Sequence, residues 1–106
     1  MAICTRYYVG KVTLLGLPVP QVKLDQCTAM VADAYGGSST VYQTVGYWPR
    51  YLQPGHGERE DSMVIEAIAE PDDAVNPRDL AGTLALIANQ AAVLWTQGLI
   101  EWGFAP

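Results

Sequence analysis

Histidine, phenylalanine and charge are all scarce in this chain. Its 106 residues include one histidine (His56), one phenylalanine (Phe104) and only 16% charged side chains. A stable zinc site draws on about four His, Cys or carboxylate ligands. One histidine beside two widely separated cysteines, Cys4 and Cys27, matches no such spacing, so neither a metal nor another cofactor is expected. No apolar run reaches the 18 residues of a membrane span. The opening Met-Ala-Ile-Cys-Thr-Arg lacks a basic region followed by a long apolar stretch, which predicts no signal peptide and a cytoplasmic setting. In that compartment the two cysteines stay reduced. The six Lys and Arg residues form no basic stripe, which argues against a nucleic-acid partner.

Hydrophobic residues, by contrast, make up half of the chain, enough for a packed core and for a single domain over residues 1–106. The net charge of −5 is unevenly placed. Between Glu58 and Asp79 eight acids face two bases, Arg59 and Arg78, so this segment carries −6 and the rest of the chain +1. A solvated acidic rim is the plain reading, and a docking edge for a basic partner the sharper one.

Local patterns predict six elements. Ile3–Leu15, rich in β-branched and aromatic residues, reads as a first strand with a bulge or close contact at Gly10. A helix runs from Gln21 or Asp25 to Tyr35, with Cys27, Met30, Val31 and Ala34 on one face and a stop at Gly36-Gly37. A strand pair follows in Ser39–Pro49 and Ser62–Ala69, joined by the connector Arg50–Asp61. In the second strand of the chain, Thr40–Trp48, neither face is fully polar. In Ser62–Ala69, Met63, Ile65, Ala67 and Ala69 alternate with Val64, Glu66 and Ile68. Burying Glu66 without a partner is costly. The Met63 face therefore belongs under the helices, and Val64, Glu66 and Ile68 belong on the open face. Asn76-Pro77 announces a second helix, capped by Asn76, which carries Leu80, Leu84 and Ile87 and ends near Asn89-Gln90. Ala91–Thr96 reads as the last strand. The order β-α-β-β-α-β predicts an α+β, ferredoxin-like two-layer sandwich, an antiparallel sheet with its helices on one face.

Residues suited to chemistry are few. His56 lies in the long connector near Glu58, Glu60 and Asp61 and reads first as a loop residue. Glu70, Asp72 and Asp73 lack the calcium-loop spacing. Gly36-Gly37-Ser38-Ser39 follows a helix rather than opening one and lacks the lysine of a phosphate loop. Aromatic residues are the better clue. Tyr42, Tyr47, Trp48 and Tyr51 cluster before the connector, and Trp95, Trp102 and Phe104 lie toward the C-terminus. Tyr and Trp serve as interface anchors because they bury large areas and keep a polar handle. Arg50, between Trp48 and Tyr51, suits an anionic or planar ligand.

Beyond Gly36 the chain is similar to a loose group of small, mostly uncharacterised proteins from bacteria and their phages. The shared features are a Gly-Gly turn, the strand end Gly46-Tyr47-Trp48, a loop with Gly57-Glu58 and a strand containing Glu66. A helix then ends in Asn89-Gln90 before Ala91-Ala92-Val93. The resemblance covers about two-thirds of the chain. It implies an accessory protein of a phage or mobile element rather than a core metabolic enzyme.

Together these features lead to a non-catalytic binding module with Tyr42, Tyr47, Trp48, Arg50, Tyr51, His56 and Glu66 as its ligand- or partner-contacting residues. Its expected partners are a second copy of itself and either a host protein, such as a defence component to be blocked, or a small molecule to be sequestered. The alternative is a dimeric ferredoxin-like enzyme on a small organic substrate, with His56, Glu66 or Tyr42 beside a pocket.

Overall fold

The computed structural model describes residues 2–36, 39–47, 59–70 and 75–101, the side chains at 46, 47, 59 and 60 excepted. Six elements follow in the order β1 (Ala2–Gly10), α1 (Gln21–Ala34), β2 (Thr40–Tyr47), β3 (Arg59–Ala69), α2 (Pro77–Ile87) and β4 (Leu94–Ile100). The strands form one antiparallel sheet in the order β2-β3-β1-β4. The described residues thus form an α+β protein, with two helices among them. No helix among the described residues is long and apolar enough to cross a membrane.

Strand alternation separates two faces. Tyr7 and Val9 of β1 stand opposite Ile65 and Met63 of β3. These four, with Ala67, join Leu24, Cys27 and Val31 of α1 and Ala81, Leu84 and Ala85 of α2 in one buried cluster. Both helices therefore pack on this face. The Tyr7 hydroxyl, inside the core, is satisfied by the Tyr35 hydroxyl at 2.6 Å. Tyr35 is also the C-cap of α1, so helix end and core are tied at one point. Burial, then the bond to Tyr35, pushes the Tyr7 phenol well above its ordinary pKa.

The helix signals in the sequence act as expected at α2. The Asn76 side chain accepts from the backbone N–H of Arg78 and of Asp79, and Pro77 opens the helix. On α1 the buried stripe is Leu24, Cys27 and Val31, with Met30 partly buried and Ala34 exposed. The stripe thus lies one turn nearer the N-terminus than the expected Cys27-to-Ala34 face.

Boundaries of three strands differ from expectation. β1 stops at Gly10 rather than Leu15, and Gly10 is its last residue rather than a bulge. The Gln90 side chain occupies the backbone there: Oε1 accepts from the Gly10 N–H at 2.9 Å, and Nε2 donates to the carbonyls of Gly10 and Val12. Beyond it Val12 bridges to Pro18 around a turn in which Gly16 adopts φ +80°. β3 begins at Arg59, three residues early, because Val45 and Tyr47 of β2 find partners in Asp61 and Arg59. β4 begins at Leu94 rather than Ala91. Asn89, at φ 52°, turns the chain after α2, and Ala91–Val93 serves as the connector. The strand also runs to Ile100, four residues past the expected end at Thr96.

Candidate functional site

The second sheet face carries the even-numbered residues of each strand, read across the register in rows. One row runs Thr40, Glu66, Arg6, Thr96; the next runs Tyr42, Val64, Tyr8, Leu94; a third holds Ile68, Cys4 and Gly98. No described helix residue shares a core with this face. Its centre is nonetheless closed, since Val64, Ser62 and Cys4 are buried there. Around that centre Tyr42, Ile68 and Leu94 are part-exposed. The accessible part is therefore mixed: these three apolar or aromatic side chains form a ring among the exposed Thr40, Thr96 and Gly98.

An ion pair sits within the ring. Arg6 Nε donates to Glu66 Oε2 at 2.7 Å, with the two side chains 43% and 21% exposed. The Tyr42 hydroxyl donates to the same oxygen at 3.4 Å. Antiparallel pairing of β1 with β3 sets Arg6 directly opposite Glu66, and Tyr42 reaches Glu66 from the next row on β2. This answers the cost that burial would impose on a lone carboxylate. The pair in turn shapes its neighbours. The bond to Glu66 raises the Arg6 pKa, holding the guanidinium charged. Burial first, then the Glu66 charge, raises the Tyr42 phenol. The same two causes raise the Cys4 thiol, with Arg6 opposing them. A thiol held protonated is a poor nucleophile. Cys27 lies in the helix-side core on the opposite face, and both cysteines are free.

Of the residues expected at the site, Glu66 and Tyr42 are brought together. The backbone of Tyr47 is placed at the end of β2, and its side chain lies outside the described residues, as do Trp48, Arg50, Tyr51 and His56 entirely. Asp72, Asp73, Trp102 and Phe104 lie outside them too. Trp95 packs against the helix-side core. Sequence reasoning missed Arg6 and Tyr8; it weighed Cys4 as a nucleophile, set it aside, and did not place it on this face. The signal for Arg6 existed: a strand with Thr5, Tyr7 and Val9 inward places one cation, Arg6, on the face that Glu66 needs.

Two grooves lined by described residues lie away from Glu66 and Tyr42. One, of about 340 Å³, lies by Lys11, Gln43, Thr44, Val45 and Asp61. The other, of about 320 Å³, runs between α2 and β4, past Gly82, Ala85, Leu86, Val93 and Trp95. Among the described residues no group of three or more His, Cys, Asp or Glu is placed to hold a metal ion. No protein-family model matches the chain, and no curated protein matches its sequence.

Proposed function

We propose that this protein is a small cytoplasmic, non-catalytic binding module, built as a ferredoxin-like sandwich and carried by a phage or mobile element. It engages a host protein, for example a defence component that it blocks, through the sheet face opposite the helices. The observation that carries this reading is the part-exposed ring of Tyr42, Ile68 and Leu94 around the Arg6–Glu66 pair. Such a surface offers tyrosine and arginine, residue types enriched at interface hot spots, beside apolar side chains, with the Glu66 charge already paired. The element order and the strand order β2-β3-β1-β4, with every neighbour antiparallel, support the ferredoxin-like assignment.

Native mass spectrometry of the protein isolated from its own cell tests the reading. A host protein retained at fixed stoichiometry, and lost in an Arg6→Ala/Tyr42→Ala double variant that still folds, is the expected result. A retained small molecule, lost in the same variant, would replace protein binding by sequestration. Retention unaffected by the variant, or nothing retained, would overturn the site.

A further inference from the structure

We propose that two copies of this chain join along β4, in the single register that pairs Gln97 with Gln97. This stands independently of any partner at the Arg6–Glu66 face. β4 is an edge strand, with no described strand beyond it. Exposed edges are normally protected by charge, proline or a bulge. Leu94–Ile100 (Leu-Trp-Thr-Gln-Gly-Leu-Ile) has no charged residue and no proline. It is nevertheless largely open, with Leu99 66% exposed.

The order of residues in β4 points to a second copy. In an antiparallel pair related by a two-fold axis normal to the sheet, residues of equal parity face each other, because the helix-side faces stay together. Centring the axis on Gln97 sets Leu94 against Ile100, Trp95 against Leu99 and Thr96 against Gly98. Apolar meets apolar at both outer positions. A shift by two residues one way sets Trp95 against Gln97 and Leu94 against Gly98. A shift the other way sets Trp95 against Glu101 and Gln97 against Leu99. Of these three registers only the central one sets apolar against apolar at both outer pairs.

The groove between α2 and β4 supplies a second, separate argument. It is lined by Trp95 and by Gly82, Ala85 and Leu86 of α2. A side chain at Gly82 would meet open space, and Leu86 is 83% exposed. The central register brings the partner's copy of Leu99, the most exposed apolar side chain of the strand, beside Trp95 at this groove. Knob and hole thus belong to the same surface. A strand edge of about 24 Å is too narrow to bury the ~800 Å² per partner of a stable interface by itself, so the proposed dimer requires the two α2 flanks to take part.

The other edge, β2, also lacks charge, but its groove is polar, bounded by Lys11 and Asp61. A cross-linking comparison separates the two edges. Under mild oxidation Gln97→Cys should link to itself as a covalent dimer, while the parent chain, with both cysteines buried, and Gln43→Cys should not. In light scattering after size exclusion the parent chain should run as a dimer. Leu99→Lys and Gly82→Leu, both at exposed positions, should keep the parent circular dichroism and weaken dimerisation at least tenfold. A monomer at 100 µM, a Gln43→Cys link, or a dimer unaffected by Leu99→Lys would each overturn the proposal.

Discussion

Cys27 has no exposed surface, and burial pushes its thiol up to about 11 from an ordinary 9.0. The unfolded chain ionises this group above pH 9, whereas the folded one holds it neutral until about 11. Stability from Cys27 is therefore complete below pH 9 and lost as the pH rises to 11, by about 3 kcal/mol. Tyr7 adds to the loss in the same direction at higher pH. Denaturant titrations from pH 8 to 11 should show this slope, and Cys27→Ala should flatten its lower part. Gln90 matters through its side-chain amide. Gln90→Ala leaves the buried Gly10 N–H and carbonyl without their partner and should cost 1–3 kcal/mol. Gln90→Glu, which turns an acceptor toward two carbonyls, should cost no less, measured by the urea midpoint. Individual residues were unevenly legible in the sequence. Alternation along β3 was enough to place Glu66 away from the helices. The Gln90 contact spans 80 residues and leaves no periodic trace. Arg6 is harder to read, because its partner Glu66 lies 60 residues away on a strand whose pairing with β1 no local pattern announces.

Among the elements, α2 is the one whose local chemistry and packing agree most fully. Asn76→Ala removes an acceptor for two backbone donors and should lower stability by about 1 kcal/mol, seen as a lower melting temperature. Leu84, fully buried against α1 and the sheet, should cost 2–5 kcal/mol on truncation to Ala. The contrast between these two losses checks that α2 is held more by its packed face than by its cap. Cap and stripe made α2 readable from sequence alone. The start of β4 was not, because Ala91-Ala92-Val93 runs without a break into the apolar Leu94-Trp95, while the left-handed turn at Asn89 spends those residues on a connection. The end of β1 was misplaced for a related reason: Val12 and Thr13 favour strands, but Thr13 Oγ1 accepts from the backbone N–H of Leu15 and Leu17 and folds the segment into a turn.

At the scale of the molecule, the sheet is held together by its first strand. β1 lies between β3 and β4, and its contacts reach across 60 residues to Glu66 and 92 to Gln97. Pairings so distant in sequence require loop closure before any reward. Stopped-flow refolding followed by tryptophan fluorescence should therefore fall in the millisecond-to-second range, not in microseconds. The same topology governs what happens while the chain is being made. At 5–20 residues per second, β1 leaves the ribosome about 3–12 s before Glu66 and about 5–18 s before Gln97. Throughout that interval an apolar strand containing Tyr7 and Val9 has neither neighbour available. The newborn protein is thus most open to wrong associations through its oldest residues, and any slowing of translation between β1 and β3 lengthens that exposure directly.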